Sequence, residues 1–173
     1  MAIADYAPPQ GTALASAGVA ALTAGTLTVV KSAQVRTAWH EFAWTNAMVV
    51  AAAGTSNKIN VCTLPAKTLV HRCLIVIGTA ATQGATLTVS AGTAADTGGY
   101  VFASNAKAAA NTVYGDAAGD IGALLLVADH TTDDLASYTT TTVVQIEFAI
   151  GAGTLADVTA STGRVLLQTS ALP

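Results

Sequence analysis

Thr139-Thr140-Thr141-Thr142-Val143-Val144-Gln145-Ile146-Glu147-Phe148-Ala149-Ile150 is the stretch whose reading decides the fold. Val144, Ile146, Phe148 and Ile150 fall on one side of an extended chain, and Gln145 and Glu147 fall on the other. Successive side chains of a strand point to opposite faces, so a period of two specifies a strand with one buried face. The core positions carry β-branched and aromatic residues, which fit a pleated surface packed on one side.

The same reading extends outward. Trp39 to Val50 sets His40, Phe42, Trp44, Asn46 and Met48 against Glu41, Ala43 and Thr45. Gly54 to Asn57 reads as a turn, and Lys58 to Leu64 as a short strand stopped by Pro65. Thr68 to Ile77 is almost continuously apolar (Leu69, Val70, Leu74, Ile75, Val76, Ile77), the pattern of a central strand covered on both faces. Ala85 to Ser90 alternates Leu87 and Val89 with Thr86 and Thr88. Thr26 to Val30, Tyr100 to Ser104 and Arg164 to Thr169 are further short strands, and Ala123 to Ala128 is an apolar run between Gly122 and Asp129. Ser104 to Asn111 favours one or two helical turns, through its Ala and Lys content.

Short strands punctuated by Gly, Asn and Asp, with no long amphipathic helix, predict an all-β fold. The expected architecture is a β-sandwich, jelly-roll-like in topology. Pro8, Pro9 and Gly11 break local structure near the start. The expected organisation is an extended N-terminal arm over residues 1–36 and a β-sandwich domain over residues 37–173.

Charged residues make up only 10% of the chain, against about 25% in an ordinary soluble domain. Hydrophobic residues reach 52% and aromatics only 5%, so Ala supplies most of the surplus, with Thr beside it. Mixed surface charge opposes association, and a chain this poor in charge tends to be covered by partners. The net charge is −3, and the seven cations (Lys31, Arg36, Lys58, Lys67, Arg72, Lys107, Arg164) form no run. Nucleic-acid binding needs clustered cations to neutralise phosphates, so no nucleic-acid partner is expected. Gly11 to Val30 is uncharged over about the length of a membrane span. Gly, Thr and Ser interrupt it throughout, and the start of the chain has no basic segment of the secretory type. No membrane partner is expected.

Several motifs invite a chemical reading. His40-Glu41-Phe42-Ala43-Trp44 opens like a zinc-protease helix, but Trp44 stands where the second His is required and the segment reads as strand. Gly151-Ala152-Gly153-Thr154-Leu155-Ala156 matches a dinucleotide fingerprint, yet that motif needs a following helix, a parallel strand and an acidic residue about 20 positions on. It reads instead as a glycine turn between antiparallel strands. Asp116 and Asp120, with Asp129, Asp133 and Asp134, lack the ligand spacing of a calcium loop, and Asp is also a common turn residue. Thr132 before Asp133 and Asp134 fits a helix cap. His40, His71 and His130 stand far apart with no nucleophile motif beside them. Trp39, Trp44, Tyr100 and Tyr114 are the candidates for a carbohydrate platform, with Trp44 more suited to the core and Tyr100 and Tyr114 to the surface. Cys62 and Cys73 flank Pro65 in strand-like stretches; they fit buried free thiols, and a pairing across a hairpin is the alternative. No catalytic, cofactor-binding or metal residue is expected, no cofactor is expected, and the chain is not expected to be an enzyme.

One progression resembles a known group. Leu64-Pro65-Ala66-Lys67-Thr68-Leu69-Val70 leads through Gly84-Ala85-Thr86-Leu87-Thr88-Val89-Ser90-Ala91-Gly92 to Ala95-Asp96-Thr97-Gly98-Gly99-Tyr100. With Leu155-Ala156-Asp157-Val158-Thr159 and Gly163-Arg164-Val165, which look like a closing hairpin, it is similar to small tailed-bacteriophage virion structural proteins of the capsid decoration (cement) type. In this chain Thr97-Gly98-Gly99 interrupts the Asp-Gly pair before Tyr100. The resemblance implies a non-catalytic β-sandwich in a virion; with the low charge and the free arm it leads to the expectation of a place on the capsid surface, and a start of the chain without a secretory or membrane segment fits assembly in the host cytoplasm. Its partners would be the major capsid protein and its own copies, as a homotrimer. A tail, neck or baseplate component of a virion, and a glycan- or receptor-binding module, are the alternatives.

Overall fold

The computed structural model describes residues 37–125, 136–138 and 140–171. The arm expected over residues 1–36, with its short strand at Thr26 to Val30, lies outside the described residues. Among those described, the strands are β1 (Thr37–Trp44), β2 (Ser56–Leu64), β3 (Thr68–Thr79), β4 (Leu87–Thr93), β5 (Val101–Asn105), β6 (Val113–Tyr114), β7 (Ala136–Tyr138), β8 (Thr142–Ile150) and β9 (Thr162–Ala171), with one helical turn, α1 (Asn46–Val49).

The strands form two sheets, ordered β1-β9-β3-β6 and β2-β8-β4-β5, with β7 also pairing with β3. All named pairs are antiparallel. The first four strands alternate between the sheets, and the last two insert into their middles: β8 between β2 and β4, and β9 between β1 and β3. This is the double Greek-key order of a jelly roll, as the sequence predicts. β6 pairs with Ile75 and Val76, and β7 with Thr68 to Val70, so two short segments share one strand position beside β3.

The period of two decides what lies between the sheets. Val144, Ile146, Phe148 and Ile150 of β8 face Cys73, Ile75 and Ile77 of β3 and Val165 and Leu167 of β9 within one buried cluster. Trp44, at the end of β1, is the largest member. Its indole meets Phe148 edge-on, with centroids 5.5 Å apart and planes at 65°. Its ring N–H donates to Ser161 Oγ at 3.3 Å. Trp44 pairs in register with Gly163 of β9, and a Cβ on Gly163 would run into the indole and the Val76 carbonyl. The missing side chain is what lets the ring lie over the strand. Tyr100 and Tyr138 form a second link, hydroxyl to hydroxyl, from the loop before β5 to β7 in the other sheet.

Several local expectations are corrected. β1 stops at Trp44 instead of running to Val50, because Met48 and Val49 donate back to the Thr45 carbonyl and close a helical turn. Asn46 then anchors that turn by donating to the Val158 carbonyl at 3.1 Å. β3 is covered on both faces only at its start, where Thr68, Leu69 and Val70 are all buried; beyond it Cys73, Ile75 and Ile77 are buried while Leu74 and Val76 are half-buried. Residues 106–111 form turns without a helix, held where Asn111 N–H donates to the Ile77 carbonyl. Residues 123–125 are turn as well, and 126–128 lie outside the described residues. The expected closing hairpin is absent, since Leu155–Asp157 is a short 3-10 turn and β9 pairs with β1 and β3.

The seat of Trp44 on Gly163 predicts a coupled pair of substitutions. Gly163→Ala should destabilise by about 1–3 kcal/mol through overpacking, and Trp44→Ala by about 3–5 kcal/mol through loss of the buried ring. Because both act on one contact, the double variant should lose less than the sum. Urea unfolding of the four proteins measures this, and strict additivity would show that the ring and the glycine are not coupled.

Candidate functional site

The two outer faces of the sandwich differ in chemistry. On the β2-β8-β4-β5 sheet, register rows bring Lys58 beside Glu147 and Ser90, and Asn60 beside Gln145. Gln145 donates to Asn60 Oδ1 at 2.8 Å, and Thr97 donates to the Glu147 carboxylate. Those rows are polar and internally bonded, and Phe102 of β5, 47% exposed, is the large apolar side chain at the margin of that sheet. On the β1-β9-β3-β6 sheet, the rows read Trp39–Gln168–Arg72, then Glu41–Leu166–Leu74, then Ala43–Arg164–Val76 with Val113 beyond. Apolar side chains thus run across a surface that a monomer would leave to water. Trp39 is 51% exposed, the most exposed large hydrophobic residue described. Glu41 and Arg164 pair at 3.6 Å on this face, both about half-exposed, which makes the pair worth little to stability. A depression of about 530 Å³ lies between Glu41, Ala43, Val76, Asn111 and Arg164.

A second hollow runs beside β1, between the margins of the two sheets. It is a cleft of about 300 Å³ lined by Ala38, His40, Cys62, Leu64, Pro65 and Thr169, among others. His40 Nε2 bonds Thr169 Oγ1 at 2.9 Å, and His71 Nε2 bonds Ser170 Oγ at 2.7 Å. Both imidazoles are thereby tied to neighbouring hydroxyls of β9, with no carboxylate among the described residues orienting either ring. His130 lies outside the described residues.

The remaining predicted site residues are scattered. His40 to Trp44 lie on strand β1, as expected, so they cannot form a zinc-protease helix. Gly151 to Ala156 leave β8 and enter a 3-10 turn, whose Thr154 hydroxyl and backbone N–H both donate to the Asp157 carboxylate. Gly153 has φ +85°, a conformation that glycine adopts readily. The turn carries the chain between sheets, not between paired strands, since β8 and β9 belong to different sheets. Asp116 and Asp120 follow β6 in a loop, while Asp129, Asp133 and Asp134 lie outside the described residues, as does the Thr132 cap.

The aromatic platform is not assembled. Trp44 is in the core, as expected, but Tyr100 is fully buried, against expectation. Sequence reasoning placed Tyr100 at the surface from its neighbouring glycines. Those glycines instead pack tightly: Gly99 and Gly122 have no room for a Cβ, so the loop folds down and draws the ring inward. Burial, then the bond to Tyr138, push the Tyr100 hydroxyl far above its ordinary range. Tyr114 is half-buried on β6 and donates to the Asn105 carbonyl at 3.0 Å. Trp39 lies on β1, at the opposite margin of that sheet.

Cys62 and Cys73 are free thiols on strands of different sheets, so the hairpin pairing does not arise. Burial raises both thiols above their ordinary range, Cys73 far more because it is fully enclosed.

No family model and no curated protein matches the chain. Among solved structures, a chain of the capsid of Ralstonia phage GP4 aligns with a TM-score of 0.52 at 16% identity, over 85% of this chain and 92% of that one. A chain of the cyanophage Pam1 capsid asymmetric unit aligns at 17% identity with a TM-score of 0.45, over 80% of this chain and 86% of that one. The jelly-roll sandwich described above is therefore a fold also found in a chain of the GP4 capsid. Among the described residues, no helix is long and apolar enough to cross a membrane.

The thiols give a test of this packing. The thiolate is the reactive form, and burial suppresses it. In native protein at pH 8, iodoacetamide should leave Cys73 unmodified and label Cys62 only slowly, whereas both should react fully in denaturant. Intact-mass and peptide mass spectrometry read this out, and rapid native labelling of Cys73 would contradict the enclosed core.

Proposed function

We propose that the protein is a structural component of a phage virion, and specifically a decoration (cement) protein that binds the outer surface of the head and stabilises it. The observation that carries this reading is the outer face of the β1-β9-β3-β6 sheet, where Trp39, Leu74, Val76, Val113 and Leu166 face outward among Glu41, Arg72, Arg164 and Gln168, while the opposite sheet is polar outside Phe102 at its margin. Contiguous apolar surface on a soluble protein marks an interaction site. The low charge of the whole chain points the same way. The fold it shares with a chain of the GP4 capsid supports a place in a shell.

The mechanism is physical, not chemical. A decoration protein in this reading lays apolar area against several shell subunits at once. Each contact raises the effective concentration of the next, so weak contacts together hold tightly. The partners are the major capsid protein and further copies of the chain, as a homotrimer seated where three shell subunits meet. No catalytic step, cofactor or nucleic-acid contact enters. A glycan-binding reading loses support with Tyr100 buried in the core.

Two measurements test the reading. Heads of the parent phage lacking this protein should release their DNA at a lower temperature than normal heads, and purified protein added back should restore the difference. Equal heat stability with and without the protein would refute cement function. Light scattering on a sizing column should give about three times the 17.2 kDa chain mass. A ring of six or more would instead favour the tail or neck.

A further inference from the structure

The free margins of the two sheets are not alike. An open strand edge presents unpaired backbone N–H and C=O groups, and proteins blunt such edges with bulges, lysines, prolines or short length. β2 carries Lys58, a bulge between Asn60 and Cys62, and Pro65 just beyond its end. β5 is five residues long and carries a bulge at Phe102 and Ala103 opposite Ser90 of β4, and Val101 bridges to Ile121. β6 has two residues. β1 has none of these devices. It runs eight residues in unbroken register, from Thr37 opposite Ser170 to Trp44 opposite Gly163, and no described residue pairs with its other edge. Its first five residues are exposed, including Trp39 on the outer side and Ala38 and His40 toward the cleft.

We propose that β1 is an acceptor strand: an extended segment of the capsid shell protein adds to its open edge as a further strand. Backbone hydrogen bonds would supply affinity, and alternate side chains would supply specificity. One set of the added strand's side chains would enter the cleft of about 300 Å³ beside His40, Leu64 and Pro65. A cleft at the small end of ligand sites suits the side chains of a strand. Its apolar walls favour small uncharged residues there, because a charge would be desolvated without a partner. The other set would lie over Trp39. Glu41 is already matched by Arg164 and demands no cation.

The size of the edge argues for the shell protein over a second copy. Self-pairing of β1 would cover a strip about 27 Å long and about 10 Å wide on each partner, roughly 540 Å² in all, about half of what a stable interface needs. On a particle, contacts elsewhere on the same molecule hold the two edges together, and the same strip suffices. The inference rests on the cement reading.

The test is amide hydrogen exchange of the full chain, free and bound to heads lacking it, together with head binding by variants. Exchange in the peptide covering residues 37–44 should slow about tenfold or more on heads, as newly bonded amides become protected. Trp39→Lys and Ala38→Lys should weaken head binding about tenfold or more, with melting unchanged, while Thr88→Lys on the polar outer face should not. Binding of the normal protein without added protection of β1 would overturn the inference and leave the cement reading standing. Full protection of β1 in the free monomer would also overturn it, placing the protein's own N-terminal residues on the edge. Protection that rises with self-association and without heads would give the edge to a second copy instead. Failure of the normal protein to bind heads would take down the cement reading and this inference with it.

Discussion

The seat of Trp44 over Gly163 is the contact on which the geometry of this sandwich depends. It joins three strands through one ring: β1 by the backbone, β9 by the register pair with Gly163, and β8 by the edge-on meeting with Phe148. The indole N–H is satisfied at Ser161, so the ring is buried at no polar cost. Since Trp44 is the last residue of β1, one end of that strand is fixed in the core. The remainder lies at the sheet margin, exposed but held in register. That is the arrangement an edge needs if it is to receive another chain without fraying.

The same logic extends to how the sheets close. β8 and β9 come last in the chain yet occupy the middle of their sheets. Neither sheet is complete until these strands arrive, so most contacts join residues distant in sequence. Such topologies fold slowly, since loop closure is paid for before the contacts repay it. The two sheets are then locked by side chains that cross between them, Trp44 with Phe148 near one end of β1 and Tyr100 with Tyr138 elsewhere. What remains outside is one face whose rows are mostly polar and hydrogen-bonded, and another where Leu74, Val76, Leu166 and Trp39 lie around the Glu41–Arg164 pair.

That asymmetry gives the odd composition a physical use. Ala43, Val76 and Val113 on the β1-β9-β3-β6 face lose little side-chain entropy when covered, and Trp39, Leu74 and Leu166 supply the apolar area. A lone soluble domain gains nothing from such a surface. A molecule that is proposed to be clamped between others on a shell does, because several shallow contacts act together.

Much of the architecture was legible from residues alone. The alternation in Thr142 to Ile150 fixed both the strand and its buried face, and the spacing of Leu87 and Val89 did the same for β4. These succeed because side-chain direction in a strand depends only on position along the chain. The errors fell where distant residues decide the outcome. Trp44 was legible as a core residue from its face of β1, but the end of that strand at Trp44 was not. Tyr100 was read as exposed because glycines surround it, yet those glycines are there to let loops press together above it. The helical turn at Asn46 rests on a bond to Val158, also distant. Composition and periodicity by themselves determined an all-β sandwich with a surface poor in charge. Tertiary structure alone decided the strand order within the jelly roll, the contact of Trp44 with Gly163, the burial of Tyr100 and the open edge of β1, because register and closure are set by contacts between strands and not by any one of them.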